Sequence, residues 1–285
     1  MNSENKVIRI ASLWAALLAV IKFSFWIISG SMVLIASAGD SLLDLMVSLF
    51  NLFALKEAKK PADHDHNYGH GKIEGIAAII EGLIITGSAF FIIFSSVKKL
   101  FWNPEIMEIT SGIFVMLFSL LITGVIVLLL QSVSKKTKSL IIKADLMHYK
   151  MDFLTNGGAL LTLVLVKRTG LSFLDPIIAI GIAIYILYGC KAILKEGFDL
   201  LMDKSLGKDK EIWKLILEHP AIASFHKLKT HQSGGKVFIS FHMVFKDENI
   251  SLKDAHTISR EIEMKLKKHF KRASVIIRLD PFDDH

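Results

Sequence analysis

Six long apolar windows constrain this chain more than any other feature of its sequence. A helix needs about 20 mostly apolar residues to cross the hydrocarbon core of a bilayer. Windows of this kind cover residues 7–28, 32–55, 73–97, 109–133, 140–166 and 173–194. They raise the hydrophobic fraction of the 285 residues to 52%, which excludes a disordered chain. We therefore predict an all-α bundle of six transmembrane helices in residues 1–206, embedded in a lipid bilayer.

The remaining residues, 207–285, carry charges every few positions and contain no window of membrane length. Helical spacing covers residues 208–219, and strand-like runs cover 224–230 and 237–245 around a Gly234-Gly235 turn. Ser251 is placed to cap a helix that ends near residue 269, and a last strand-like run covers 274–279. The order αββαβ predicts a cytoplasmic α+β domain of the ferredoxin-like type.

Basic residues give the expected orientation. Lysines are concentrated in two of the predicted loops: Lys56, Lys59, Lys60 and Lys72 in one, and Lys135, Lys136 and Lys138 in the other. Positive charge accumulates on the cytoplasmic side of membrane proteins, so both termini are expected in the cytoplasm. This topology accounts for the net charge of +7. The sequence has no basic stripe interleaved with aromatic residues, so no nucleic acid is expected as a partner.

Ionisable residues interrupt the second and fifth apolar windows. Asp40 and Asp44 are four residues apart, as are His148 and Asp152, so each pair lies on one face of its helix. If the two faces meet, three carboxylates and one imidazole surround a point inside the membrane, and this donor set suits zinc, ferrous iron or manganese. The alternative is that these groups are hydrogen-bonded contacts between helices. The single cysteine, Cys190, excludes a cysteine-based zinc site.

Four motifs occur in order along the chain. They are residues 40–44 (DSLLD), residues 61–72 (PADHDHNYGHGK), residues 144–152 (ADLMHYKMD) and, in the tail, residues 232–234 (QSG) with 275–281 (VIIRLDP). With these motifs the sequence resembles the cation diffusion facilitator family, specifically its bacterial ferrous-iron and zinc efflux branch. The resemblance implies a homodimeric, proton-coupled exporter of Zn²⁺ in the cell inner (plasma) membrane, with Fe²⁺ or Cd²⁺ as further substrates, and no enzymatic activity.

The resemblance also implies three metal sites and one salt bridge. It assigns Asp40, Asp44, His148 and Asp152 to the transport site, and Asp63, His66 and His70 to a site in the loop before the third helix. It assigns His226, His242, His256 and Asp280 to a cytoplasmic site at the dimer interface, where bound zinc is expected to be regulatory. It pairs Lys72 with Asp203 at the membrane surface, where the pair would hold the dimer together.

Two of these assignments have alternatives. Arg278 stands where close relatives often carry a histidine ligand, and a guanidinium does not bind metal, so one tail site is favoured over a binuclear one. His231 could replace the missing histidine ligand only if it faces that site. The alternative for the loop is a solvated cluster of histidines that binds metal only weakly. The alternative for the tail is that its histidines are surface residues that bind no metal.

Three more ionisable residues lie in the predicted helices. Glu81 is interpreted as a helix-packing hydrogen-bond partner, with proton movement or metal entry as the alternative. Asp145 is placed at a wet cytoplasmic entrance. Lys22 is expected to extend to the membrane interface or to be paired.

The expected mechanism is antiport by alternating access, because protons and metal compete for the same ligands. Two other functions stay open at this point. One is a membrane metal sensor or scaffold that does not transport. The other is an intramembrane metallohydrolase, which would need a general base and an open metal position, and the sequence lacks an H-E-x-x-H motif.

Overall fold

The structure is a computed structural model that describes residues 3–29, 32–102 and 113–281. The chain divides into two compact units, Met1–Phe198 and Asp199–His285. The expected boundary from the sequence lies between residues 206 and 207, where the charged part of the chain begins. Each unit is described by itself below.

In its described residues, the first unit consists of six long helices. They are α1 (Ser3–Ser29), α2 (Met32–Ala58), α3 (Ile73–Trp102), α4 (Ile113–Thr137), α5 (Leu140–Thr169) and α6 (Leu174–Leu201), the last of which ends in the second unit. Each apolar window of the sequence coincides with one of these helices. Residues 109–112 of the fourth window lie outside the described residues.

Among the described residues, five of these helices are long and apolar enough to cross a membrane: α1, α2, α3, α4 and α6. The remaining helix, α5, is as long as α3, but its first half carries the charged residues Lys143, Asp145, Lys150 and Asp152 together with His148. The expected six apolar spans are therefore matched by five helices that meet this criterion and one polar helix. Large side chains such as Leu13, Phe53 and Phe94 are exposed on the outside of the unit, as suits a surface that faces lipid.

The packing of α5 explains how it carries so many polar residues. One buried cluster joins α5 to α1, α2 and α4 through residues such as Ile8, Leu55, Ile126 and Ile141. A second cluster joins the same helix to α3 and α6 through Ile85, Met151, Ile186 and Cys190. Helix α5 therefore contacts helices on more than one side, and its residues Asp145 and His148 are buried between them.

The second unit is an α+β domain with a three-stranded sheet. Its elements are α7 (Asp209–Leu217), β1 (Ile222–Ser233), β2 (Lys236–Phe245), α8 (Leu252–His269) and β3 (Ala273–Leu279). The strand order is β1-β2-β3, with β1 and β2 antiparallel and β2 and β3 parallel. The order αββαβ matches the prediction from the sequence.

Local signals account for the ends of these elements. The Ser251 hydroxyl accepts a hydrogen bond of 3.1 Å from the backbone N–H of Asp254 at the start of α8, as a capping serine does. Gly234 and Gly235 have φ values of 55° and 72° in the turn between β1 and β2, a conformation that glycine adopts without strain. Ile212 and Ile216 of α7 and Leu266 of α8 are buried in one core with Phe225 and Phe241 of the sheet.

Candidate metal centre

Helices α2 and α5 bring three of the predicted ligands together. The Nε2 atom of His148 lies 3.1 Å from Oδ1 of Asp44 and 3.6 Å from Oδ2 of Asp152. One ligand atom from each of the three residues lies within 4.8 Å of the other two. The His148 side chain is only 6% exposed, and its Nδ1 atom is buried without a hydrogen-bond partner. This spacing and this donor chemistry suit one cation shared by the three side chains.

Asp40 does not belong to this close group. It is exposed and lies one helical turn before Asp44 on α2. It nevertheless lines the same cavity of about 950 Å³ as Asp44, His148 and Asp152. The structure thus brings three of the four predicted transport-site residues into contact and places the fourth on the wall of the cavity beside them.

A second polar cluster, which we call the Asn51 cluster, consists of Asn51 of α2, Glu81 of α3 and Asp145 of α5. The Asn51 Nδ2 group donates one hydrogen bond of 3.1 Å to Glu81 and another of 3.1 Å to Asp145. All three side chains are fully buried. The cluster joins the two helices that carry the metal ligands to a third helix. Asp145 is therefore buried, and the expected wet entrance is not what surrounds it.

Asn51 was not predicted as a functional residue, although the sequence contains a signal for it. Asn51 follows Asp44 by seven residues, which is two helical turns, so it lies on the same face of α2 as the ligand pair. A buried amide on a face that already carries two carboxylates is a sign of polar contacts between helices. The interpretation of Glu81 as a helix-packing partner agrees with its hydrogen bond to Asn51.

Other polar contacts hold α5 in place beside α1, α2 and α3. The hydroxyl groups of Ser48 and Tyr149 are 3.0 Å apart, and Tyr149 directly follows His148 in the sequence. At the start of α5, Oε2 of Glu74 accepts hydrogen bonds from the backbone N–H of Leu140 (2.9 Å) and from the hydroxyl of Ser139 (3.2 Å). These contacts set both the rotation and the height of the helix that carries two ligands.

The loop between α2 and α3 brings its three predicted ligands together as well. His66 Nδ1 lies 3.3 Å from Oδ1 of Asp63, and His70 Nε2 lies 3.3 Å from Oδ2 of the same carboxylate. One ligand atom from each lies within 4.8 Å of the others. The backbone N–H of His66 donates a hydrogen bond of 2.7 Å to Asp63, and this bond lowers the pKa of Asp63 below its usual value.

In the α+β domain, the structure brings together His226, His242 and Asp280. His226 of β1 and His242 of β2 face each other in the sheet register, and Asp280 follows β3. Oδ2 of Asp280 is 3.1 Å from His226 Nε2 and 2.7 Å from His242 Nδ1. The hydrogen bond from His242 is the main reason why the pKa of Asp280 lies below its usual value.

The remaining residues predicted for the tail lie elsewhere. His256 is exposed on α8 and is not part of the close group. Arg278 pairs with His242 in the sheet register, and its Nε is 3.3 Å from Oδ1 of Asp280. His231 is directed to other partners, because it stacks on Phe238 and its Nε2 lies 3.8 Å from Asp203.

Lys72 and Asp203 lie in different units. Lys72 immediately precedes α3 in the first unit, whereas Asp203 belongs to the second. The salt bridge that the sequence resemblance implies between them stays a prediction.

Long apolar helices around a buried carboxylate–imidazole group define a class of protein, namely multi-pass membrane proteins that handle cations. Comparison with known proteins agrees with this class. Residues 8–202 match the cation efflux transmembrane domain, and residues 207–282 match the cytoplasmic domain of cation efflux proteins.

Several curated proteins are similar to this chain along nearly their whole length. The cation-efflux pump FieF of Shewanella oneidensis is 37% identical over 269 residues, which cover 94% of this chain and 90% of the relative. FieF of Yersinia enterocolitica is 35% identical over 273 residues, covering 95% and 90%. Protein p34 of Rickettsia prowazekii is 34% identical over 287 residues, covering 99% and 95%.

The chain belongs to the cation efflux family, also known as the cation diffusion facilitators. The resemblance inferred from the four motifs is therefore confirmed. Members of this family are transporters and not enzymes, so the intramembrane metallohydrolase is excluded.

Proposed function

We propose that this protein exports divalent metal cations from the cytoplasm in exchange for protons, with Zn²⁺ as the main substrate and Fe²⁺ or Cd²⁺ as others. It works as a homodimer in the inner membrane, with both termini in the cytoplasm. The observation that carries this proposal is the contact of His148 with Asp44 and Asp152 at 3.1 and 3.6 Å. Family membership supports the export of cations.

The geometry around His148 supports coupling to protons. Nε2 faces two carboxylate oxygens, so a proton on Nε2 and a metal ion bound by Nε2 exclude each other. Metal binding requires the imidazole to be neutral and the carboxylates to be ionised, and imidazole in water changes its charge near physiological pH. Cytoplasmic metal then displaces protons, the helices reorient, and external protons expel the metal.

Asp40 is the proposed fourth ligand. Zinc sites are usually tetrahedral, and the close group supplies three side chains. Asp40 lines the same cavity one turn away on α2, from where a small movement of α2 against α5 brings its carboxylate to the ion. A site that gains and loses one ligand in this way binds its metal reversibly.

Helix α5 is proposed as the sixth transmembrane span. Its 30 residues are long enough to cross the bilayer at about 1.5 Å per residue. Its buried groups Asp145 and His148 pair with Asn51 and Asp44 of α2, so they do not face lipid. Helix α5 does not meet the hydropathy criterion for a membrane span, because those polar groups lower its mean hydropathy.

The two groups outside the spans are proposed as further metal sites. The loop residues Asp63, His66 and His70 and the tail residues His226, His242 and Asp280 have the spacing that a metal needs. His256 is exposed on α8, so it joins the tail group only if a second copy of the ferredoxin-like domain supplies it. Zinc bound between two copies would then favour the dimer and regulate transport.

Flux in proteoliposomes tests the proposal. We expect saturable Zn²⁺ uptake into vesicles with an acidic lumen, measured with a trapped zinc-sensitive dye, and loss of uptake in Asp44→Ala and Asp152→Ala. Asp175→Asn is the matched control, because Asp175 pairs with Lys99 at 2.6 Å and does not line the ligand cavity. Metal binding without flux in the wild-type protein would instead favour the sensor or scaffold function.

His148→Ala separates transport from proton coupling. If His148 exchanges protons, residual Zn²⁺ flux through this variant no longer varies with the pH of the lumen. A variant that transports with the proton dependence of the wild-type protein would contradict this role. Competition of Fe²⁺, Cd²⁺ and Mn²⁺ with Zn²⁺ in the same assay ranks the substrates.

A further inference from the structure

Lys22 of α1 is buried beside the transport site. Its side chain is 7% exposed, although lysines in membrane helices usually extend to the interface, because a charge inside the bilayer costs several kcal/mol. Its Nζ donates a hydrogen bond of 2.7 Å to the hydroxyl of Ser41, itself 1% exposed and next to Asp40 on α2. Lys22 is thus held inside the helix bundle.

The charges around Lys22 are those of the proposed metal ligands. Lys22 lines the same cavity as Asp40, Asp44, His148 and Asp152. The carboxylates of Asp44, Asp40 and Asp152 favour the charged form of Lys22, whereas its burial opposes that form. Carboxylates on α2 and α5 therefore offset part of the cost of burying a lysine on α1, in a place where the interactions between charges are strong.

The charge balance of the proposed ligands has a direct consequence for the ion. The carboxylates of Asp40, Asp44 and Asp152 carry −3, the Lys22 ammonium reduces this to −2, and a metal-binding His148 is neutral. Glu81 also lines the cavity, but it is hydrogen-bonded to Asn51 and belongs to the Asn51 cluster, so it is not counted with the ligands. A divalent cation then brings the site to zero. A monovalent cation leaves it negative, and a trivalent cation makes it positive.

We propose that Lys22 is a fixed counter-charge of the transport site, which sets its preference for divalent cations and keeps their binding weak enough for release. This inference rests on the proposed function. Lys22 does not bind the metal. It acts through the electrostatic energy of the ligands and is a specificity-determining residue. Without it the loaded site keeps a charge of −1, so metal is held more tightly and leaves more slowly.

The Lys22→Met variant tests this inference. We expect it to bind Zn²⁺ at least about tenfold more tightly in calorimetry on the purified full-length protein. In proteoliposomes, both KM and the maximal rate should fall, because binding improves while release slows. A lysine with only a structural role would give the opposite change, a weaker binding of Zn²⁺. The sensitised luminescence of Tb³⁺ is a second readout, and the affinity for this trivalent probe should rise by more than that for Zn²⁺.

Two further variants keep the test decisive. Lys22→Gln retains a donor for Ser41, and it decides the outcome if Lys22→Met does not fold. Lys99→Met is the matched control, because Lys99 pairs with Asp175 and does not line the cavity. An unchanged or weaker affinity for Zn²⁺ in Lys22→Gln overturns the inference. Absence of flux in the wild-type protein instead overturns the proposed transport function, whatever the affinities of the Lys22 variants.

Discussion

At the scale of single residues, the polar groups of the helix bundle fall into two neighbouring sets with different tasks. Asp44, His148 and Asp152 line a cavity and bring one ligand atom each within 4.8 Å of the others, which suits them to share a cation. Asn51 instead places both hydrogen atoms of its amide on the carboxylates of Glu81 and Asp145. The first set can exchange an ion, and the second holds helices together.

The amide of Asn51 is the residue whose loss should destabilise the bundle most clearly. In Asn51→Leu, two buried carboxylates lose their common donor, and we expect the free energy of unfolding to fall by about 3 kcal/mol. Thermal unfolding in detergent or nanodiscs measures this loss. Asn5→Leu is the control, because Asn5 only accepts a hydrogen bond of 3.1 Å from Lys59 near the surface. Equal melting temperatures for the two variants would contradict the role of Asn51.

At the scale of elements, the position of α5 decides whether the ligands meet. Glu74 accepts two hydrogen bonds from the first residues of α5 at 2.9 and 3.2 Å, so the start of α3 holds the start of α5. Free N–H groups at a helix start need such an acceptor. The contact lies two turns before His148 on the same helix and so fixes the height of the ligand pair.

The Glu74→Ala variant should destabilise the first turn of α5. We expect a loss of about 1–2 kcal/mol of stability, the usual cost of removing a helix cap, together with weaker Zn²⁺ binding. Hydrogen exchange is the direct measurement, since the amide of Leu140 should exchange faster while the amides in the middle of α5 keep their protection. If the amide of Leu140 stays protected in the variant, Glu74 does not hold the helix.

The two helices of the α+β domain are also connected by a charged pair. Lys265 of α8 donates a hydrogen bond of 2.6 Å to Glu218, which follows α7, and this bond lowers the pKa of the Glu218 carboxyl below its usual value. A carboxyl whose pKa is lower in the folded than in the unfolded state contributes stability above its unfolded pKa. That stability is lost as the pH falls through the folded value.

Glu218→Gln should therefore lower the melting temperature of the tail slightly at neutral pH, by a few degrees at most, because the pair is exposed. The difference from the wild-type protein should shrink as the pH falls below about 4.3, the usual pKa of a glutamate, and vanish once the pH is below the lowered pKa of Glu218 in the folded state. Circular dichroism of the full-length protein across this pH range measures it. If the difference in melting temperature persists at acid pH, the effect comes from packing and not from the charge of Glu218.

At the scale of the whole molecule, each of the two units contains its own candidate metal-binding group. The helical unit holds the cavity with Asp44, His148 and Asp152, and the α+β unit holds a separate group formed by His226, His242 and Asp280. The family match covers both units, at residues 8–202 and 207–282. The Lys72–Asp203 pair implied by the family resemblance, which would hold the dimer together at the membrane surface, stays a prediction.

A charge exchange tests that pair. Lys72→Asp should lower the fraction of dimer, because like charges then face each other, and adding Asp203→Lys should restore most of it. Light scattering of the purified protein and the rate of Zn²⁺ flux are the two measurements. If the double variant is no better than the single one, the two residues do not act as a pair.

The sequence by itself determined whatever depends on near neighbours along the chain. Apolar windows of membrane length predicted where six helices lie, and the pattern of the tail predicted its αββαβ order. The loop group of Asp63, His66 and His70 was also open to prediction from the sequence, because its members lie within eight residues and a turn is enough to bring them together.

The tertiary structure alone decided what depends on how helices pack. Asp44 and His148 are 104 residues apart in the chain, and only the packing of α2 on α5 shows that they touch while Asp40 stays on the cavity wall. The same packing converts three isolated polar residues, Asn51, Glu81 and Asp145, into one buried cluster. Helical periodicity predicts which residues share a face, but side-chain packing between faces decides which residues of two helices meet.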